Sequence, residues 1–590
     1  MKWLQDNFRA KKWHTFLTGL LDIIKGIEGR ITERMEGKIG EARSRSGRKR
    51  KKPEEELKNC ACLRTKVNKI RQQIHSGGMV FTFVEGAFVT ALREGHWVLL
   101  DEVNLAPPEI LGRLIGVLEG VRGSLCLAER GDVMGIPRHL NFRLFACMNP
   151  ATDAGKRDLP FSFRSRFTEY AVDDDICDDD LEIFVRRFLG GRGSDSKLVA
   201  NIVWFYKEAK RLSEESLQDG ANQKPQYSLR SLYRALEYAI KAEAIGGFQK
   251  ALYDGFSMFF LSLLDASSAK IVEPIIKRIS GENIRSQPLQ RYLGELKGSS
   301  DKFVGSYVKT KSVIDHLNHL AHAIFIKRYP VLLQGPTSSG KTSLVKYLAA
   351  ISGNKFVRIN NHEQTDIQEY LGSYMTDSSG KLVFHEGALV KAVRGGHWIV
   401  LDELNLAPSD VLEALNRLLD DNRELFVPEL SETISAHPNF MLFATQNPPT
   451  LYGGRKILSR AFRNRFVEIH VDEIPEDELS EILTTKCSIA NSHASKMVEV
   501  MKDLQRNRQS SKAFAGKHGY ITPRDLFRWA YRFRTYDGTS HEELAREGYY
   551  ILAERLRDDT EKVVVQEVLE RHFRVSLAKD DLYNMVSYVI

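Results

Sequence analysis

Gly335-Pro336-Thr337-Ser338-Ser339-Gly340-Lys341-Thr342 is the stretch on which the reading of this 590-residue chain turns. Ahead of it, Tyr329-Pro330-Val331-Leu332-Leu333-Gln334 reads as a strand, and from Ser343 through Leu348 the chain reads as a helix. A strand, a glycine-bearing loop and a helix start in that order make an anion site. Gly335 and Gly340 let the backbone curl until its N–H groups point at phosphate oxygens, and the helix N-terminus adds a favourable dipole. The Lys341 ammonium suits the β- and γ-phosphates of a nucleotide, and the Thr342 hydroxyl suits Mg²⁺. Residues 335–342, with Ser343 at the helix start, are the candidate nucleotide-binding residues.

The second half of such a site follows about 60 residues later. Asp402 ends the apolar run Trp398-Ile399-Val400-Leu401, where its carboxylate can hold a Mg²⁺ shell. Glu403 beside it can polarise an attacking water as general base. An acidic pair at a helix entry is common by itself; paired with Lys341 and Thr342 it points to ATP binding and hydrolysis. Asn447 stands at the end of a second apolar run, Phe440 through Ala444. Strand C-termini face the ligand crevice in such sheets, so Asn447 can orient the water or touch the γ-phosphate. Its plain alternative is a turn residue ahead of Pro448-Pro449. Between the two strands, Ser409 through Leu419 has helical spacing, and Pro408 suits its first turn.

Working outward, much of this unit has already occurred once in the chain. Gly95-His96-Trp97-Val98-Leu99-Leu100-Asp101-Glu102-Val103-Asn104-Leu105-Ala106-Pro107 matches Gly396 through Pro408, with Asp402 lying 301 residues after Asp101. Phe83 through Val89 matches Phe384 through Val390, Phe145 through Pro150 matches Phe443 through Pro448, and Arg164-Ser165-Arg166-Phe167 matches Arg463-Asn464-Arg465-Phe466. Four matched blocks in one order exclude chance. Each copy is an α/β core followed by a helical lid. The expected divisions are a charged helical insertion or remnant at 1–78, a partial core at 79–175, its lid at 176–300, a complete core at 301–474 and a second lid at 475–590. The first copy has no Gly-x-x-x-x-Gly-Lys-Ser/Thr. Either it lost the loop, or the chain begins after it; the abrupt C-terminus at Tyr583–Ile590 favours the second expectation, a piece of something longer.

The matched asparagine makes Asn149 a candidate beside Asp101 and Glu102, and gives Asn447 a functional reading. Arg465 and Arg463, with Arg166 and Arg164, are placed to stabilise transition-state charge in a neighbouring module, or are plain solvated arginines. Arg524, at the start of a lid helix in Ile521-Thr522-Pro523-Arg524-Asp525-Leu526, and its counterpart Arg230 either reach a γ-phosphate or pair on the surface.

The bulk numbers agree with a globular chain: 42% hydrophobic and 27% charged residues. No apolar run is long enough to span a bilayer, so no membrane partner is expected. Net charge is +8, with much of the excess in Arg43 through Lys52. That run is a nuclear localisation signal, an RNA-contacting patch or a solvated face; no basic-aromatic stretch suggests a strand-binding channel. Of the six cysteines only Cys60 and Cys62 are close, without the second pair a zinc site uses, so reduced thiols are expected.

These motifs together, Gly-Pro-Thr-Ser-Ser-Gly-Lys-Thr, Trp-Ile-Val-Leu-Asp-Glu-Leu-Asn-Leu-Ala-Pro, Ala-Thr-Gln-Asn-Pro and Arg-Asn-Arg-Phe, resemble the dynein-related branch of AAA+ ATPases. The Asn-Leu-Ala-Pro after both acidic pairs narrows the resemblance to the midasin family, very large nuclear proteins with six AAA+ modules in one chain. It covers about residues 79–590. It implies Lys341 and Thr342 as Walker A residues, Asp402 and Glu403 as Walker B, Asn447 as sensor 1, and Asp101, Glu102 and Asn149 as the first module's equivalents. It makes Arg465 and Arg166 the arginine fingers, ATP and Mg²⁺ the cofactors, and other AAA+ modules of the same larger chain the partners. The family's role is ATP-driven removal of assembly factors from large (60S) ribosomal subunit precursors in the nucleolus and nucleoplasm. Only two modules are present, without the family's acidic region or metal-dependent adhesion domain. Arg465 would serve the first module, so the chain alone is expected to bind ATP and hydrolyse it poorly. The competing expectation, from another class, is a scaffold whose ATP is structural.

Overall fold

The computed structural model describes residues 85–577 except 121–122, 132–133, 150–157, 173–175, 221–222, 282–291, 293–301, 377–381, 431, 449–454, 511–520 and 536–537, together with 17, 19–28, 63–64 and 66–67. The basic run 43–52, the pair Cys60 and Cys62, and most of the expected insertion at 1–78 lie outside the described residues. The chain divides into two compact units, residues 1–98 with 119–143, and residues 99–118 with 144–590.

In the smaller unit, the helix Ala87–Glu94 closes on Gly95 in the left-handed region, φ 81°. A side chain there would collide with the His139 ring. The second copy repeats the device: Gly396 takes φ 67° at the end of the equivalent helix, against the His437 ring. The repeat thus extends below sequence identity to the chain reversal that only glycine makes cheaply.

The larger unit opens with the first module's acidic turn and continues into its lid: α1 (Asp178–Leu189), α2 (Ser196–Glu215), α3 (Leu229–Gly246), α4 (Phe248–Phe256) and α5 (Ala266–Ser280). Asp195 caps α2 through the N–H groups of Lys197 and Leu198, and Asp265 caps α5. The second core follows: α6 (Lys311–Ile326), β1 (Val331–Gln334), α7 (Lys341–Ile351), β2 (Phe356–Asn360), α8 (Ala388–Gly395), β3 (Trp398–Asp402), α9 (Ser409–Leu419), β4 (Met441–Gln446) and β5 (Val467–His470). The second lid comprises α10 (Glu476–Cys487), α11 (Asn491–Ser510), α12 (Pro523–Thr535), α13 (His541–Leu552) and α14 (Asp559–Phe573). The helix expected at 409–419 has those bounds. Among the described residues no helix is long and apolar enough to cross a membrane.

The five strands form one parallel sheet in the order β5-β1-β4-β3-β2. Ala444 on β4 pairs with Leu332 on β1 and with Leu401 on β3. This register brings Gln334, Asp402 and Gln446 to one edge, the C-terminal edge, beside the crevice where strand order switches. Strands β1, β3 and β4 are buried throughout because both faces are covered. Leu332, Ile399, Leu401 and Leu442 pack with α8 and α9. Val331, Leu333, Val400 and Phe443 face the other way, into a core that also contains Leu236, Phe256 and Phe260 of the first lid.

The first lid and the second core therefore share one hydrophobic core, although the sequence separates them at about residue 300. Polar contacts add to it: Ser262 donates to the carbonyl of Glu468 at 2.7 Å, and the N–H of His470 donates to the carbonyl of Ser262 at 2.7 Å. The first core differs from the second. Trp97–Leu100 and Arg143–Ala146 are strands, yet Trp97 is 73% and Leu99 62% exposed, against 2% for Trp398 and 0% for Val400. The matching apolar runs share a conformation and not a burial, because burial depends on the layers around a strand.

Candidate functional site

The loop 335–342 wraps between the C-terminal ends of β1 and β5. A Cβ on Gly335 would overlap the carbonyl oxygen of Val471, so the tight approach of these strands requires glycine. Gly340 (φ 86°) and Ser338 (φ 67°) turn the backbone through the left-handed region before α7 begins at Lys341. Lys341 is buried inside the turn. Its ammonium donates to the carbonyls of Gly335 (2.8 Å) and Pro336 (2.6 Å) and to Oδ1 of Asn447 (3.0 Å). Burial is the main influence on its pKa and pushes it down to about 8, against the opposing pull of Asp402 and Glu403. The side chains of Thr337, Ser338, Ser339, Thr342 and Ser343 border the cleft, while Gly335 and Pro336 lie behind it and serve Lys341 with their carbonyls.

The acidic pair meets this loop. The Thr342 hydroxyl lies 3.2 and 3.1 Å from the two oxygens of Asp402. A hydroxyl and a carboxylate facing each other at this spacing form an oxygen donor set suited to Mg²⁺. Arg358 on β2 also holds Asp402, its Nε 2.9 Å from Oδ2. Glu403 follows in the left-handed region at φ 51°, a conformation that costs free energy for a non-glycine residue and marks functional turns. Thr445 fixes both acids: its hydroxyl donates to Asp402, and it accepts the N–H of Glu403 at 3.0 Å. Asn447 spans the gap, accepting from Lys341 and donating to Oε1 of Glu403 at 3.2 Å. Arg455 donates to Oε2 of Glu403 at 3.2 Å. A buried cation, a carboxylate facing the Thr342 hydroxyl, a candidate base and an amide thus converge on one point.

The cleft around them measures about 880 Å³. Its lining includes the apolar side chains of Tyr307, Val308, Val313, Ile474 and Phe527, which suit a base, and the cationic side chains of Lys341, Arg358 and Arg524. Arg524 is exposed and borders the cleft from the start of α12.

Comparison with known proteins fits this arrangement. The pattern described as AAA domain (dynein-related subfamily) matches residues 60–167 and 330–466. The patterns described as midasin AAA lid domain match 180–283 and 478–576. The chain belongs to the midasin family. It is 51% identical to midasin of Dictyostelium discoideum over 536 residues, covering 85% of this chain and 9% of that protein. It is 36% identical to midasin of Giardia intestinalis over 557 residues, covering 85% of this chain and 11% of that one. The chain therefore spans about a tenth of the length of these midasins. An uncharacterized protein of Staphylococcus haemolyticus is 29% identical over 261 residues, 43% of this chain and 94% of that protein. AAA+ ATPase modules account for both cores and both lids.

The first midasin-type module repeats the acidic turn within the larger unit. Glu102 takes φ 51°, the same angle as Glu403, and its N–H donates to Oδ1 of Asp101 at 3.1 Å. The N–H of Cys147 donates to the carbonyl of Leu100 at 2.9 Å, which carries Asn149 alongside the acidic pair. Asp101, Glu102 and Asn149 line a second cleft of about 690 Å³. Arg230 lines it from the start of α3, and Arg465 lines it from the second core.

The arginines divide by their contacts. Arg463 is tied down, with Nη2 2.6 Å from Asp219 of the first lid and 2.5 Å from Glu468. Its counterpart Arg164 makes the same local pair with Glu169, at 2.6 and 2.7 Å. Arg465 instead points at the first cleft, Nη1 3.8 Å from Oε1 of Glu102, with Nε 2.7 Å from Asp420. Arg166 is exposed, and its guanidinium donates to the carbonyl of Ser162, as Arg465 does to Ala461 at 3.2 Å.

Four contributors escaped sequence reading: Arg358, Thr445, Arg455 and Asn405. Asn405 donates to the carbonyl of Asn447 at 2.9 Å, and Asn104 does the same to Asn149 at 3.0 Å. The asparagine common to both Asn-Leu-Ala-Pro segments was the visible sign of that tie.

Proposed function

We propose that this chain binds ATP with Mg²⁺ at residues 335–343 as part of an AAA+ mechanoenzyme that remodels large (60S) ribosomal subunit precursors by releasing assembly factors. Its workplace on this reading is the nucleus, nucleolus and nucleoplasm, and its partners are other AAA+ modules, the ribosome precursor and the assembly factors. The family relation supports the role. The observation that carries the chemistry is the convergence of Lys341, Asp402, Glu403 and Asn447 on one point.

Lys341 and the loop N–H groups hold the β- and γ-phosphates, and the apolar side chains from Tyr307 to Phe527 take the base. When bound, Mg²⁺ neutralises charge on the phosphate oxygens; Thr342 and Asp402 are the residues that would hold it. Glu403 accepts a proton from the attacking water, and Asn447 keeps the base and the Lys341 ammonium in register. Arg524 approaches the γ-phosphate from the lid. In the first module, Glu102 and Asn149 take the same parts, with Arg465 as the finger and Arg166 as its equivalent for another neighbour.

One observation favours slow turnover by the chain alone. The finger Arg465 faces Glu102 of the first cleft and not Glu403. Such a finger is worth about 10³- to 10⁵-fold in rate.

The Glu403→Gln variant tests the reading. It should retain ATP unhydrolysed, whereas the unaltered chain should convert it slowly to ADP, as read by chromatography of the bound nucleotide. Equal ATP lifetimes in the two proteins would instead give a scaffold with structural nucleotide. Failure of both to bind ATP would overturn the proposal. In cells, the same change in the whole protein should leave assembly factors on large-subunit precursors.

A further inference from the structure

Arg234 lies on α3 of the first lid and is only 5% exposed. Its guanidinium makes a three-point contact with the second core. Nη1 donates to the carbonyls of Asn464 (3.0 Å) and Phe466 (3.4 Å), and Nη2 donates to the carbonyl of Arg465 (3.1 Å). The group also lies over the Tyr329 ring, 4.5 Å from its centre. The physical reason for this contact is local. The short helix Arg460–Arg463 ends just before, and the carbonyls of Asn464, Arg465 and Phe466 lie in the turn between it and β5, beyond the helix's own hydrogen bonds. A planar fork of donors satisfies several of them at once, and its positive charge suits the negative end of a helix.

The position of α3 gives the contact a consequence. Arg230, one turn before Arg234, lines the first cleft with Glu102. Arg465, whose carbonyl Arg234 holds, lines the same cleft from the opposite module. We propose that Arg234 is a positioning residue that fastens the finger Arg465 to the lid helix bearing Arg230, so that the two arginines enter and leave the first cleft as one body. This rests on the reading of Arg465 as the residue that completes that cleft. A displacement of α3 is then transmitted to the finger through backbone carbonyls and does not depend on the finger's own side chain. The pair of Arg463 with Asp219 is a second strut between the same two parts.

The second lid carries the same pair of arginines, Arg524 and Arg528, in Arg-Asp-Leu-Phe-Arg against Arg-Ser-Leu-Tyr-Arg. There the Arg528 side chain is 73% exposed. It supplies an internal control of matching sequence.

The experiment uses the whole chain with Arg234→Met, Arg234→Lys and Arg528→Met. Amide hydrogen exchange by mass spectrometry reads residues 461–467, and phenylglyoxal labelling reads the accessibility of the Arg465 guanidinium. Arg234→Met should speed exchange across 461–467 by about tenfold or more and raise labelling of Arg465, while peptides from α3 and β1 stay unchanged. Arg234→Lys keeps the charge but loses the fork, and should recover part of the protection. Arg528→Met should match the unaltered chain. Unchanged exchange at 461–467 in Arg234→Met would overturn the inference, and so would an equal rise across α3, which marks general loosening of the lid. Neither readout requires nucleotide, so a failed strut leaves ATP binding at 335–343 standing, and failed ATP binding leaves the strut standing.

Discussion

The guanidinium of Arg465, in the second core, stands 3.8 Å from the carboxylate of Glu102, in the first. The cation is anchored from behind by Asp420 at 2.7 Å, which fixes its direction. Its charge is therefore directed to the first cleft. We predict that Arg465→Ala leaves ATP turnover at the loop 335–342 within about twofold of the unaltered chain, whereas Glu403→Gln ends it. Steady-state phosphate release with each variant decides the matter. A tenfold or greater loss in Arg465→Ala would show that this arginine serves the second module's own site.

The neighbouring Arg463 should behave oppositely, as a stability residue. It pairs with Asp219, whose side chain is 1% exposed, and with Glu468 at 13%. Removing the guanidinium leaves two carboxylates short of solvent and of their partner. Breaking such a buried group from one side costs about 3–5 kcal/mol. Arg463→Met should lower the denaturant midpoint of the first lid and second core together, because they share a core. Adding Asp219→Asn to Arg463→Met should recover part of the loss. Independent additive losses would show that the two residues do not depend on each other.

What was legible in the sequence, and what was not, follows from the range of the interactions. The loop 335–342 is local: two glycines, a lysine and a threonine at fixed spacing between a strand and a helix. The acidic pair and Asn447 lie at the ends of apolar strands, and the parallel register brings strand ends together without further information. Arg358, Thr445 and Arg455 act by reaching an acid 44, 43 and 52 residues away, and no spacing in a single sequence announces such a meeting. Arg234 reaches 231 residues to Arg465. The strands β2 and β5 were missed because Phe-Val-Arg-Ile-Asn and Val-Glu-Ile-His break the apolar run that marked their neighbours. The shared core of first lid and second core was hidden because a lid helix reads as amphipathic whatever partner covers it.

Asn405 offers a test of the tie that joins the acidic turn to the end of β4. It is 0% exposed, and its amide N–H reaches the carbonyl of Asn447 at 2.9 Å. Asn405→Ala removes the donor and leaves a buried carbonyl short of a partner, at a cost of about 1–3 kcal/mol. The residue freed is Asn447, which touches both Lys341 and Glu403. The expected result is weaker ATP binding as well as a lower unfolding midpoint, with isothermal titration and denaturant melts as the two measurements. A change in stability with an unaltered affinity would confine Asn405 to packing.

Lys341 predicts how binding should depend on pH. Burial inside the turn is the largest influence on its ammonium and brings the pKa from its ordinary 10.5 down to about 8. In the unfolded chain the proton is held up to the ordinary value, so between about pH 8 and 10.5 the unfolded state binds more protons than the folded one. Stability conferred by this group accordingly rises with pH through that window and is lowest below it, where the folded chain must bury the charge. Triphosphate reverses the preference by supplying negative charge beside the ammonium. Binding then takes up a proton above pH 8, and affinity falls as pH rises, by at most about tenfold per unit. Titrations with ATP from pH 6.5 to 9.5 should show a level region and then this decline. Lys341→Arg, whose guanidinium stays charged throughout, should remove the decline even if it binds less tightly. An equal slope in Lys341→Arg would assign the pH dependence to another group.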